Sequence, residues 1–207
     1  MHLEIAGPAG RLEALLDGDS DRPRAAVAFA HPHPQLGGTM HTKAVFQGAK
    51  GLTRIGCAVL RFNFRGVGSS AGVFDGGRGE MDDYRAALDA LAARYPETPL
   101  WAAGFSFGSW VAFETGADDP RVSVLIGIAP PVTRGYTFDR VLESIKPKFI
   151  VQGDMDELCP LPALWAFYAK LKEPKELVMI SGASHLFDGR ADEVGDALED
   201  LLGDFES

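Results

Sequence analysis

Apolar positions along the chain fall into two alternating kinds of run. Ala25 to Ala30, Ala58 to Phe64, Leu100 to Gly104, Val122 to Ala129 and Lys148 to Gln152 are short and almost unbroken, as in strands buried on both faces. Between them the period is helical. Val45, Gly48, Ala49 and Leu52 share one face opposite Lys43, Gln47, Lys50 and Arg54, with Gly56 marking the end of that helix. Tyr84, Leu88, Leu91 and Tyr95 share a face of a second helix, expected to open at Glu80, and Trp110, Val111 and Phe113 begin a third. Further on, the pattern predicts a short helix around Arg140 to Ile145, a helix after Pro162, a last strand from Glu176 to Ile180 and a closing helix carrying Val194, Leu198, Leu201, Leu202 and Phe205. The N-terminus reads differently: His2 to Ile5 and Arg11 to Leu16 are two short strands joined by Gly7-Pro8-Ala9-Gly10, an antiparallel hairpin at a sheet edge. The alternation implies an α/β protein with a mostly parallel sheet covered by helices on both faces. Fewer than twenty residues separate the strands at Val122 and Lys148, too few to fold into a lid.

Length and charge narrow the function. A chain of 207 residues fits a single domain spanning 1–207. Its net charge of -9, with no basic stripe, argues against a nucleic-acid partner. The same charge disfavours strongly anionic substrates, although a local pocket can differ from the whole. No apolar run reaches membrane length, and the first residues carry neither a basic region nor an apolar signal core, so a cytoplasmic protein without membrane attachment is expected. Cys57 and Cys159 lie far apart without metal-like spacing and read as ordinary thiols. Asp17-Gly18-Asp19-Ser20-Asp21 starts like a calcium loop, but Arg22 and Ala28 occupy its glycine and glutamate places, leaving a solvated turn. Gly66, Gly68 and Ala71 match a dinucleotide fingerprint, yet loop continues where the helix must begin, which excludes a nicotinamide site. His31 and His33 each precede a proline with no carboxylate ligand near, and read as loop-fixing side chains rather than a metal pair.

The chemistry concentrates at Gly104-Phe105-Ser106-Phe107-Gly108, where a strand turns directly into a helix. Gly-x-Ser-x-Gly in that setting pushes a strained serine out above the sheet at a helix N-terminus, where negative charge is favoured. A serine hydroxyl needs a base, and the base a carboxylate. In such a fold the chain order is serine, acid, histidine. His2, His31, His33 and His41 precede Ser106, which leaves His185, just past the last strand. The acid is expected after the Lys148 to Gln152 strand, where spacing alone leaves Asp154 and Asp156 open, with Glu157 behind them. An oxyanion needs two donors. One is expected from the backbone N–H of Phe107. The other is expected from the loop after Ala30, where prolines donate nothing and His33, Gln35 and Leu36 remain, with Gln35 favoured. Phe74, Phe105, Leu36, Leu158 and Phe187 are expected to line an apolar pocket.

His31-Pro32-His33-Pro34-Gln35-Leu36-Gly37-Gly38, Arg61-Phe62-Asn63-Phe64-Arg65-Gly66-Val67-Gly68, the Ser106 pentapeptide and Gly182-Ala183-Ser184-His185-Leu186-Phe187 together resemble the α/β-hydrolase superfamily over almost the whole chain. More narrowly they are similar to small lidless bacterial hydrolases related to dienelactone hydrolases. In that group a Gly-x-x-Asp-x-x-x-Pro loop carries the acid; Gly153, Asp156 and Pro160 match it, so the resemblance implies Asp156. It also implies an oxyanion donor from the His-Pro-His-Pro loop. Dienelactone hydrolases proper use cysteine where this chain has Ser106, so lactone opening is not carried over. The expectation is a serine hydrolase that needs no cofactor or metal and cleaves small carboxylic esters through an acyl-enzyme. A thioesterase, a peptidase and a non-catalytic binding protein on the same scaffold stand as alternatives. The physiological ester and the oligomeric state are not legible.

Overall fold

The computed structural model describes residues 1–205. Eight strands form one sheet: β1 (His2–Gly7), β2 (Gly10–Asp17), β3 (Ala26–Ala30), β4 (Ala58–Phe62), β5 (Leu100–Phe105), β6 (Val122–Ile128), β7 (Lys148–Gly153) and β8 (Lys175–Ile180). Six α-helices intervene: α1 (Lys43–Arg54), α2 (Arg78–Arg94), α3 (Phe107–Asp118), α4 (Asp139–Glu143), α5 (Leu161–Tyr168) and α6 (Ala191–Leu202). The strand order is β1-β2-β4-β3-β5-β6-β7-β8. β1 with β2, and β2 with β4, pair antiparallel; every other pair is parallel. This is the expected architecture, with its antiparallel hairpin at the edge. The helix expected at Glu80 opens two residues earlier, because the buried Glu80 carboxylate accepts the N–H groups of Asp75 (3.0 Å) and Gly77 (2.6 Å) and so caps the turn before it.

Two apolar layers sandwich the sheet. On one face Tyr84, Leu88, Val111 and Phe113 pack from α2 and α3 against Ala28, Leu60 and Leu125. On the other, Val45 and Leu52 of α1 and Val194 and Leu198 of α6 cover Val27, Phe29 and Ile126. The central strands β3, β4, β5 and β7 are buried along their whole length, which is why they read as continuous apolar runs instead of alternating ones. α1 and α6 approach so closely that a Cβ on Gly51 would collide with the Gly195 carbonyl. Between β6 and β7 the one α-helix among the described residues is the five-residue α4, so this interval holds no lid.

Topology then places the site. The chain passes from β3 to β4 on one side and from β5 to β6 on the other, so the loops after β3 and β5 part at adjacent strand ends. Such a switch point opens a crevice at the carboxyl edge of a parallel sheet. Among the described residues, no helix is long and apolar enough to cross a membrane. At the far edge the acidic turn is consumed by ion pairs: Asp17 with Arg61 (2.6 Å) and Asp19 with Arg94 (2.6 Å).

Candidate active site

Ser106 stands between β5 and α3 with φ 52° and ψ -121°, a conformation that costs a non-glycine residue about 1–3 kcal/mol. Its surroundings enforce the turn. A Cβ on Gly104 would collide with the Gly108 carbonyl, and one on Gly108 with the His31 carbonyl, so the second glycine also admits the loop after β3. Ser106 N–H donates to Ile128 O of β6 at 2.8 Å, and the Ser109 hydroxyl donates to Ser106 O at 2.7 Å. The Phe107 N–H, first of α3, has no acceptor among the described residues, as expected at a helix start.

Three distant side chains meet above this turn. Ser106 Oγ lies 2.8 Å from His185 Nε2, and His185 Nδ1 lies 2.8 Å from Asp156 Oδ2. The ionised carboxylate accepts only, so Nδ1 carries the proton and Nε2 is bare toward the hydroxyl. All three groups are buried or nearly so, with exposures of 9% for Ser106, 3% for His185 and 5% for Asp156. Asp156 Oδ1 accepts the N–H groups of Leu158 (2.8 Å) and Cys159 (2.9 Å), and Oδ2 also accepts Gln152 Nε2 at 2.6 Å. Burial pushes the Asp156 carboxyl up, but the hydrogen bond and charge of His185 and the two backbone N–H groups outweigh it, and its pKa falls below the ordinary 3.8.

Spacing left two aspartates open, and here they part. Asp154 turns away and accepts the Gly182 N–H at 2.6 Å, bracing the turn that leads to His185. Gln152 is the residue the sequence reading missed: a lone amide within an apolar strand, fully buried, with Nε2 on Asp156 and Oε1 without a partner among the described residues. Its signal was a polar side chain directly after the apolar run Phe149-Ile150-Val151 and before Gly153.

The loop after β3 departs from expectation. The Gln35 N–H, expected as an oxyanion donor, is donated to His33 Nδ1 at 3.2 Å, and the Leu36 N–H to His33 O at 3.0 Å. Both are spent on the tight turn at Pro34–Leu36. The His33 N–H, between two prolines, has no acceptor among the described residues. His31 is fully buried; its Nδ1 donates to Pro32 O (2.6 Å) and its Nε2 accepts the Phe64 N–H (3.1 Å), tying this loop to the end of β4. Burial lowers its pKa to about 4, so it is neutral at physiological pH. The His33 ring packs against Phe74 and Phe107 with centroids 4.9 and 5.1 Å away. Both imidazoles thus fix the loop.

A cleft of about 300 Å³ opens on Ser106, walled by Leu36, Phe107, Pro131, Tyr136 and Leu158, with Arg134 at its edge. Leu36 and Leu158 are where they were expected. Phe105 and Phe187 are not: both are fully buried behind His185, because alternation along β5 aims Phe105 into the layer under α1 and α6. Phe74 packs against Phe107 with tilted rings, centroids 5.9 Å apart, and does not line the cleft. Pro131, Arg134 and Tyr136 come from the loop after β6, which carried no recognised motif. Cys57 and Cys159 are free and buried, and burial raises their pKa values to about 11 and about 12, which keeps both as inert thiols.

Comparison with known proteins agrees with this architecture. A family model described as serine aminopeptidase, S33, matches residues 21–146. An uncharacterised protein of Rickettsia prowazekii is 36% identical over 205 residues, covering 95% of this chain and 86% of its own. An α/β serine hydrolase homologue from Coxiella burnetii superposes with a TM-score of 0.91 at 38% identity, over 98% of this chain and 97% of the other. A lidless α/β serine hydrolase from Xanthomonas campestris gives 0.87 at 36% identity, over 97% and 92%.

Proposed function

The chain belongs to the serine aminopeptidase S33 family of α/β-hydrolases, and from that premise we propose that it is a serine esterase acting on small carboxylic esters through an acyl-enzyme. The observation that carries the proposal is the unbroken relay from the Ser106 hydroxyl through His185 to Asp156, each link 2.8 Å long. In this reading Ser106 Oγ attacks the ester carbonyl carbon while His185 Nε2 takes its proton. The carbonyl oxygen becomes an oxyanion between the backbone N–H groups of Phe107 and His33, neither of which has an acceptor among the described residues. Collapse expels the alcohol, which leaves with the proton from His185. A water then gives its proton to His185 as it attacks the acyl carbon, and His185 passes that proton to the Ser106 oxygen as the acid leaves, restoring both residues. Asp156 holds the tautomer and steadies the imidazolium between steps. No cofactor takes part in this scheme. The lidless cleft suits short, water-borne substrates better than long acyl chains.

The family description makes a peptidase the second reading. An aminopeptidase must hold an α-ammonium group, which calls for a carboxylate in the cleft. Among the described residues the walls carry none, and the one fixed charge there is Arg134. That favours the ester. Ser106→Ala is expected to lower turnover of a short-chain aryl ester by about 10⁴-fold or more. An unchanged rate in the folded variant would sink the reading.

A further inference from the structure

Of the thirteen arginines in the chain, nine are within ion-pair distance of a carboxylate, and Arg24 donates to the carbonyls of Gly203 and Phe205. Arg22, Arg78 and Arg134 have no acidic partner among the described residues, and of these three Arg134 lines the cleft that opens on Ser106. In a chain of net charge -9, an unneutralised, exposed guanidinium lining the same cleft as the candidate nucleophile is a local reversal of sign.

Its loop is held in place from several sides. The Thr133 hydroxyl donates to Leu158 O at 2.6 Å, binding the loop to the one that carries Asp156. The Arg134 N–H donates to Pro131 O at 3.1 Å. Tyr136 stacks on Trp110 with centroids 4.5 Å apart, and Trp110 Nε1 donates to Thr137 O at 2.7 Å. None of these contacts uses the guanidinium. The backbone is fastened while the head group is left free, and its positive charge reaches His33, whose pKa is lowered chiefly by burial and further by the Arg134 charge, against the pull of Glu80.

We propose that Arg134 sets substrate choice, and that the esters this site prefers carry a free carboxylate which the guanidinium grips while Ser106 attacks the ester carbonyl. A planar guanidinium matches a carboxylate through two parallel N–H···O bonds, and no side chain of the protein has to be displaced first. This rests on the esterase reading above and adds the substrate class. It also qualifies the expectation from net charge: anionic substrates are repelled by the surface as a whole but find one cation in the cleft.

Two matched pairs of esters test it. Phenyl hexanoate and the phenyl monoester of adipic acid differ in a carboxylate on the acyl side. 4-Acetoxybenzamide and 4-acetoxybenzoate differ in one on the alcohol side. The wild-type kcat/KM is expected to favour the carboxylate member of at least one pair, and that pair names the side Arg134 serves. Arg134→Gln is expected to cut the anionic-to-neutral ratio by about 10- to 100-fold. Arg134→Lys keeps the charge without the fork and is expected to recover part of the preference, and the wild-type preference is expected to weaken as salt is raised. A ratio that stays within about twofold in both pairs after Arg134→Gln, while the neutral esters are still turned over, overturns the proposal and leaves the esterase reading standing. If no ester is cleaved and a fluorophosphonate leaves Ser106 unlabelled, the esterase reading fails and the assignment of Arg134 fails with it.

Discussion

His31 and His185 sit in loops at the carboxyl edge of the same sheet, both are buried, and both are wired in the same sense, with Nδ1 donating and Nε2 accepting. The partners differ. His31 places a peptide carbonyl on Nδ1 and a peptide N–H on Nε2, so a proton arriving at Nε2 would break the bond to Phe64 and add a charge with no counter-ion. His185 places a carboxylate on Nδ1 and a hydroxyl on Nε2, so a proton arriving there is matched by a negative charge 2.8 Å from the ring. Burial alone makes a histidine inert. In the proposed mechanism, the same burial beside a carboxylate leaves His185 to take a proton and return it.

The largest expected effect breaks the second arrangement. Asp156→Asn keeps the size of the side chain but removes the charge and permits the wrong tautomer, and is expected to lower ester turnover about 10⁴-fold with the fold intact by circular dichroism. A loss below about tenfold would mean that Asp156 only fills space.

The next sharpens the first arrangement through pH. The folded pKa of His31 is lowered to about 4, against an ordinary value of 6.5, so between those values the unfolded chain holds more protons than the folded one. Stability from this group is complete above about pH 6.5 and is lost as pH falls toward 4. The change is on the order of 3 kcal/mol. Asp156 works in the same direction, but its pKa is lowered from 3.8, so its share is lost in a more acid window and the two separate. Urea unfolding between pH 7 and 4.5 should show the slope, and His31→Gln should flatten it. An unchanged slope in the variant would assign it elsewhere.

The smallest concerns Asp154, the near neighbour that faces away. Asp154→Ala leaves the Gly182 N–H without its acceptor and is expected to cost about 1–2 kcal/mol in unfolding while changing ester kcat/KM by less than tenfold. A loss matching that of Asp156→Asn would show that the two aspartates have been assigned the wrong way round.

What was legible in the sequence was whatever depends on local pattern. Continuous apolar runs gave the buried strands, paired glycines gave the turn at Ser106, and the shortage of histidines after it singled out His185. What escaped depends on how a few loop residues spend their hydrogen bonds. Asp154 and Asp156 are two residues apart in one tight turn, and only its backbone decides which faces His185. Gln35 lost its expected part because His33 claims its N–H from two residues away. Apolarity alone points Phe105 and Phe187 to the cleft, and it cannot tell a wall from the core behind it. Arg134 and Tyr136 are held at the cleft by Trp110 and Leu158, contacts that no short motif announces.

The central claim is that a buried imidazole makes Ser106 reactive, and covalent labelling tests it most directly. A fluorophosphonate probe followed by peptide mass analysis is expected to mark Ser106 in the wild-type protein, and to mark it far more slowly in folded His185→Ala. Labelling of Ser106 at the same rate in both proteins, or no labelling of it in either, would contradict the account.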